Sequence, residues 1–95
     1  LDMEYRYELL SIFKESVTNA VRHANARNIQ ISLRYKNPKL IMMVEDDGKG
    51  FEDLQCGLLG RGIADMRRRA SAIDASLHIE SNENTGSIVK LEMNI

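Results

Sequence analysis

The sequence predicts a two-layer α/β sandwich, helices on one face of a sheet, and three observations predict it. The apolar periodicity alternates in the order α-β-β-α-β-β. Both helical stretches have one apolar side, which must be buried against another layer. Leu40 to Val44 is an unbroken apolar run of the kind found at the centre of a sheet. With 95 residues the chain holds one core and no more.

The first helix is expected from about Tyr7 to Ala24, where Leu9, Leu10, Phe13, Val17, Ala20, Val21 and Ala24 recur at helical spacing. Glu15 falls opposite the centre of that stripe, with Asn19 one turn further on, and Asn25 and Asn28 are stop signals. Ile29, Ile31, Leu33 and Tyr35 alternate with polar residues and read as a half-buried strand. Lys36-Asn37-Pro38-Lys39 is a turn leading into the central strand, covered on both sides. By period-two alternation Asp46 points to the same side as Met42 and Val44. Residues 47–62 are irregular, and a second helix follows from about Gly62 to Ile73 with Ile63, Met66, Ala70 and Ile73 facing inward. Two strands close the chain, one carrying Leu77 and Ile79, the other Val89, Leu91, Met93 and Ile95; Ser81 to Gly86 joins them.

Composition narrows the function. Lys plus Arg number 13 and Asp plus Glu 14, a net charge of −1. That balance argues against a nucleic-acid binder, which carries a basic excess, and against an acidic disordered tail. One cysteine forms no internal disulfide. No apolar run reaches the ~20 residues of a membrane span and no signal-peptide layout opens the chain. The expectation is a soluble cytosolic domain, without membrane contact of its own, cut from something longer.

Three stretches carry candidate chemistry. In Asp46-Asp47-Gly48-Lys49-Gly50-Phe51 an acid ends a buried strand and two glycines let the chain turn. An ionised carboxylate only accepts hydrogen bonds, so Asp46 suits the amino group of a planar base. The same spacing also reads as a plain β-turn. Gly60-Arg61-Gly62, at the start of the second helix, offers backbone N–H groups to phosphate, or is simply a glycine-containing loop. Glu15 and Asn19, i and i+4, set a carboxylate beside an amide oxygen, a pair suited to a hard cation such as Mg²⁺ or merely solvated.

In combination these stretches resemble the catalytic ATP-binding domain of bacterial sensor histidine kinases, within the superfamily of gyrase, heat-shock chaperone, histidine kinase and mismatch-repair ATPases. The resemblance rests on Phe13 to Ala24 (FKESVTNAVRHA), Val44 to Phe51 (VEDDGKGF), Gly60 to Ala70 (GRGIADMRRRA) and the closing turn Asn84 to Val89 (NTGSIV). It implies a Bergerat fold, helices on one face of a mixed, mostly antiparallel sheet. It also implies roles: Asn19 holds Mg²⁺ against the phosphates of ATP, and Glu15 positions water or polarises the reacting groups. Asp46 binds the adenine amino group, Gly48 and Gly50 let the base approach, and Gly60 and Gly62 give the ATP lid its mobility and phosphate contacts. Ser87 belongs to the closing glycine-and-hydroxyl turn beside the nucleotide. The γ-phosphoryl group passes to a histidine on an upstream dimerisation domain. Nine residues separate Gly50 from Gly60, a short lid that resembles the branch whose partners are helix-turn-helix response regulators. The phosphoacceptor helices and the family's first strand are absent from residues 1–95, so the implied parent is a homodimer, with membrane anchoring open, and this stretch is not expected to autophosphorylate alone.

The sequence departs from that pattern at Asp65, where Gly or Asn is common, at Asp74-Ala75 in place of a Gly-Gly turn, and at Gly86-Ser87 in place of Gly-Thr. His23 reads as a helix-end residue, His78 as a strand-surface residue, Arg67-Arg68-Arg69 as a solvated helix face and Cys56 as incidental. Met42, Met43, Met66 and Met93 read as core filling. Two rival readings remain at this level: an anti-sigma-type serine kinase that works by partner switching, and a degenerate domain kept for docking. A helical segment bearing His followed by an acid before Leu1 in the parent gene separates them from the histidine kinase.

Overall fold

The computed structural model describes residues 3–22, 26–48, 57–82 and 86–95. Six elements follow in the expected order: α1 (Met3–Arg22), β1 (Ile29–Lys36), β2 (Lys39–Asp46), α2 (Gly57–Ala72), β3 (Ser76–Asn82) and β4 (Gly86–Asn94). The strands lie in the order β1-β2-β4-β3. Every neighbouring pair is antiparallel, so among the described residues the sheet is antiparallel throughout rather than mixed. The helices cover one face. Ile12 of α1, Ile63, Met66, Ala70 and Ile73 around α2, and Leu40, Met42, Leu91 and Met93 of the sheet form the core between the layers. No helix among the described residues is long and apolar enough to cross a membrane.

α1 differs from expectation in extent and in rotation. It starts at Met3, an exposed turn with Glu4 placed favourably near the helix N-terminus. Its buried residues are Ile12, Ser16, Asn19 and Ala20, while Leu10 and Val21 of the expected stripe are 53% and 58% exposed. The reason is that α1 packs on two partners, the sheet and α2. The buried arc is therefore centred between them, and Asn19 lies inside it rather than on a solvated side.

α2 starts at Gly57, five residues before the expected point, so Gly60 and Gly62 sit within the helix and do not open it. Glycine costs about 1 kcal/mol in a helix interior, which is why the sequence alone favours a loop there. Packing against α1 overrides that preference. Ile63, Met66, Ala70 and Ile73 are buried as expected. The helix ends in a Schellman motif: the N–H of Ala75 donates to the Ala70 carbonyl at 2.9 Å and that of Asp74 to Ser71 at 3.2 Å. Asp74 takes φ of 53°, so an aspartate here adopts the left-handed conformation for which glycine is the usual choice.

β1 keeps its alternation but not its burial. Ile31, Leu33 and Tyr35 pair with the buried Val44, Met42 and Leu40, and so face the helical layer. They are nevertheless 51–67% exposed, because the helices do not reach over this edge strand. An apolar groove of about 440 Å³ is left between Leu9, Leu10 and Phe13 of α1 and Ile31 and Leu33 of β1. β2 is central, with Leu40, Met42, Val44 and Asp46 buried. Its other face, Ile41, Met43 and Glu45, is only half-buried, so Met43 does not fill the core. Asn37-Pro38, a cis peptide, forms the two-residue turn between β1 and β2.

Candidate functional site

The end of β2 delivers Asp46 into the space between the layers, where it is 9% exposed. Both oxygens are engaged. Oδ1 accepts the Gly48 N–H at 2.9 Å, and Oδ2 accepts the hydroxyl of Ser87, itself 3% exposed. Ser87 reaches it because Ser87 of β4 stands directly opposite Asp46 in the sheet register. Its neighbour Gly86 has φ of +98°, and a Cβ there would overlap the Asp46 carbonyl oxygen and stand 2.8 Å from its carbon. Only glycine lets β4 approach the end of β2 this closely. A carboxylate has about four acceptor directions, so these two bonds orient Asp46 and leave capacity for a further donor.

Asp47, one residue on, is exposed and holds the loop after α1. It accepts the backbone N–H of Arg27 at 2.9 Å and of Asn28 at 2.8 Å, and the Asn28 side-chain amide at 2.8 Å. In return its own N–H donates to the Asn28 carbonyl at 3.2 Å. The Asn28 backbone and side-chain bonds, followed by the Arg27 N–H, hold the Asp47 carboxyl below its ordinary pKa. The N–H of Ala26 donates to the Ala20 carbonyl at 3.1 Å. The C-terminal end of α1 is thus tied through residues 26–28 to the strand end that carries Asp46.

Asn19 sits on that part of α1. It is 1% exposed, and neither its oxygen nor its nitrogen has a hydrogen-bond partner among the described residues. An unpaired buried amide costs about 1–3 kcal/mol, and both ends of this one are open to a partner beyond the described residues. Ser16, a turn earlier, is satisfied within the helix by donating to the Ile12 carbonyl at 2.8 Å. Glu15 is half-buried, with Gly62 of α2 against its carboxylate. Further along the same pair of helices, Arg69 donates to Asp65 at 2.8 Å and to Glu8 at 2.9 Å, and lies 5.5 Å from the Tyr7 ring centroid. Arg69 is therefore an interhelical tie and not part of a solvated face; Arg67 and Arg68 are exposed, with Arg68 on Asp65. His78 is a surface residue as expected, 2.9 Å from Glu80.

The structure brings Asp46, Gly48 and Ser87 together, and Glu15 together with Gly62. It buries Asn19 with no hydrogen-bond partner for its amide among the described residues. Gly60 lies in the same helix as Gly62, and Gly50, His23, Asn25, Cys56 and Thr85 lie outside the described residues. Sequence reasoning missed Asp47 and Arg69. The Asp-Asp pair was visible, but its second member was absorbed into the turn, and the Arg run hid a residue whose partner is 61 positions away.

Fold and site together define a two-layer domain with a polar, inward-facing cluster at one end of its sheet. The chain belongs to the histidine kinase-, DNA gyrase B- and HSP90-like ATPase family, which it matches over residues 5–95. It is 30% identical over 97 residues to the sensor histidine kinase ComP of Bacillus subtilis, covering 100% of this chain and 13% of that protein. It is 31% identical over 84 residues to the sensor protein VraS of Staphylococcus aureus, covering 88% of this chain and 24% of that protein. The histidine kinase domain of a blue-light activated histidine kinase from Erythrobacter litoralis shares its fold. The TM-score is 0.82 at 24% identity, over 98% of this chain and 46% of that one. The chain therefore spans 13–24% of the length of these curated relatives.

Proposed function

We propose that this domain binds ATP with Mg²⁺ and presents the γ-phosphoryl group to a histidine on the dimerisation domain of a two-component sensor kinase. The observation that carries the reading is Asn19, a fully buried side-chain amide without a partner among the described residues, on the helix that bears Glu15. Family membership supports ATP as the ligand.

ATP–Mg²⁺, when bound, supplies the transferable phosphoryl group and a cation that offsets its charge. The residues present fit it. Among the described residues no three His, Cys, Asp or Glu side chains gather to hold a metal. Asn19 Oδ1 would serve as one oxygen ligand, with phosphate oxygens and water as the others, the usual arrangement for Mg²⁺. Asp46, oriented by Gly48 and Ser87, accepts a hydrogen bond from the exocyclic amino group of adenine. A keto purine presents an acceptor at that position and is refused. Glu15 positions or polarises the group that receives the phosphoryl. Gly48 and Gly50 let the base approach, and Gly60 leaves room for the phosphates. As the phosphorus–nitrogen bond to the histidine forms, the bond to the bridging oxygen breaks and ADP leaves. Catalysis is then chiefly positioning and charge neutralisation.

In this reading the parent kinase is a homodimer working at or in the cytoplasm. Its phosphorylated histidine passes the group to a response regulator with helix-turn-helix output, and this domain itself contacts neither nucleic acid nor membrane. The test is Asp46→Asn with nucleotide-induced thermal stabilisation as the readout. The variant is expected to lose the rise in Tm that ATP–Mg²⁺ gives the parent chain; an unchanged rise removes Asp46 from adenine recognition.

A further inference from the structure

Gly62 occupies an unusual place. A Cβ built on it would overlap Glu15 Oε1 and stand 2.9 Å from Glu15 Cδ. The obstruction is the tip of a flexible side chain and not backbone, so a methyl group at this position does not force the helices apart. It displaces the carboxylate. Within α2 alanine is the better helix former by about 1 kcal/mol, and φ at Gly62 is not in the left-handed region. Helix stability therefore gives no reason for a glycine here; the reason lies across the interface, in the position of Glu15.

We infer that Gly62 is a positioning residue for Glu15: the missing side chain leaves a socket on α2 that fixes where the carboxylate stands relative to the reacting groups. This is distinct from lid mobility or phosphate contact, and it rests on the proposed role of Glu15. A methyl group at 62 moves the carboxylate by on the order of 1 Å, and a misplacement of that size costs roughly a hundredfold in rate.

The experiment uses a kinase in which this domain is joined to its phosphoacceptor region. It reads the autophosphorylation rate constant at saturating ATP–Mg²⁺ and, separately, the dissociation constant of a non-hydrolysable ATP analogue. Four proteins are compared: parent, Gly62→Ala, Glu15→Ala and the double variant. Gly62→Ala is expected to slow the chemical step by roughly a hundredfold while analogue affinity changes far less. The double variant is expected to be no slower than Glu15→Ala alone, because a socket has no role once its occupant is gone. Losses that multiply in the double variant, or a Gly62→Ala kinase at the parental rate, overturn the inference while leaving the ATP site intact. A Glu15→Ala kinase at the parental rate overturns the role of Glu15, and the inference with it.

Discussion

Replacing Asn19 by leucine separates the domain's stability from its function. The side chain is 1% exposed and both of its polar atoms lack a hydrogen-bond partner among the described residues. Each buried unsatisfied group costs about 1–3 kcal/mol. Leucine has nearly the same outline and no polar atoms, and its different branching introduces strain of about 1 kcal/mol. With the amide counted as one such group, the net effect on the nucleotide-free chain is a gain of up to roughly 2 kcal/mol, or up to about 8–16 °C in Tm for a domain of this size. Thermal unfolding without nucleotide measures that gain directly. The same melt with ATP–Mg²⁺ then measures the loss, since the variant has no oxygen to offer the cation and its ligand-induced shift collapses. With ATP alone the loss is smaller. A leucine variant that melts below the parent shows that the amide is compensated after all. One that keeps the full Mg²⁺-dependent shift takes Asn19 out of the site.

Two further outcomes follow from features away from the phosphates. Asp74→Gly releases a left-handed backbone from its side chain and is expected to stabilise the chain by roughly 0.5–1 kcal/mol, a few degrees in Tm; an unchanged or lower Tm refutes it. The Asp47 carboxyl has its pKa lowered in the fold, chiefly by Asn28. Its contribution to stability is present above the unfolded-state pKa and is lost as pH falls through the folded one, below about pH 4. Asp47→Asn should flatten the fall of unfolding free energy with pH in that acid range and leave the neutral-pH slope alone. An unaltered acid limb counts against the staple.

What the sequence made legible, and what it hid, divides along physical lines. Order and inward faces were legible for α2, β2 and β4, because each packs a single periodic stripe into one core, as Ile63, Met66, Leu91 and Met93 do. Asp46 was legible because strand alternation fixes its side unambiguously once Met42 and Val44 are placed. α1 misled because a helix wedged between a sheet and a second helix buries an arc that no single stripe marks; Ile12 and Asn19 lie in it and Leu10 does not. β1 misled because alternation gives the direction of Ile31 and Leu33 but not whether anything lies above them. The start of α2 was hidden by its glycines, whose low helix propensity argued for a loop. The ties made by Asp47 and Arg69 join residues about 20 and 61 positions apart, and nothing local announces them.

Two glycines crowd the residues of the site: Gly86 lies against the main chain of Asp46, and Gly62 against the carboxylate of Glu15. The two vacancies fail differently. At Gly86 the intruding atom meets main chain, so damage there reaches the fold and is open to disposal by the cell's proteases. At Gly62 it meets only a side-chain tip, so one added carbon is expected to spare the fold and the abundance of the protein while shifting the Glu15 carboxylate. If the proposed roles hold, a survey that scores protein levels alone would register a change at Gly86 and pass over one at Gly62.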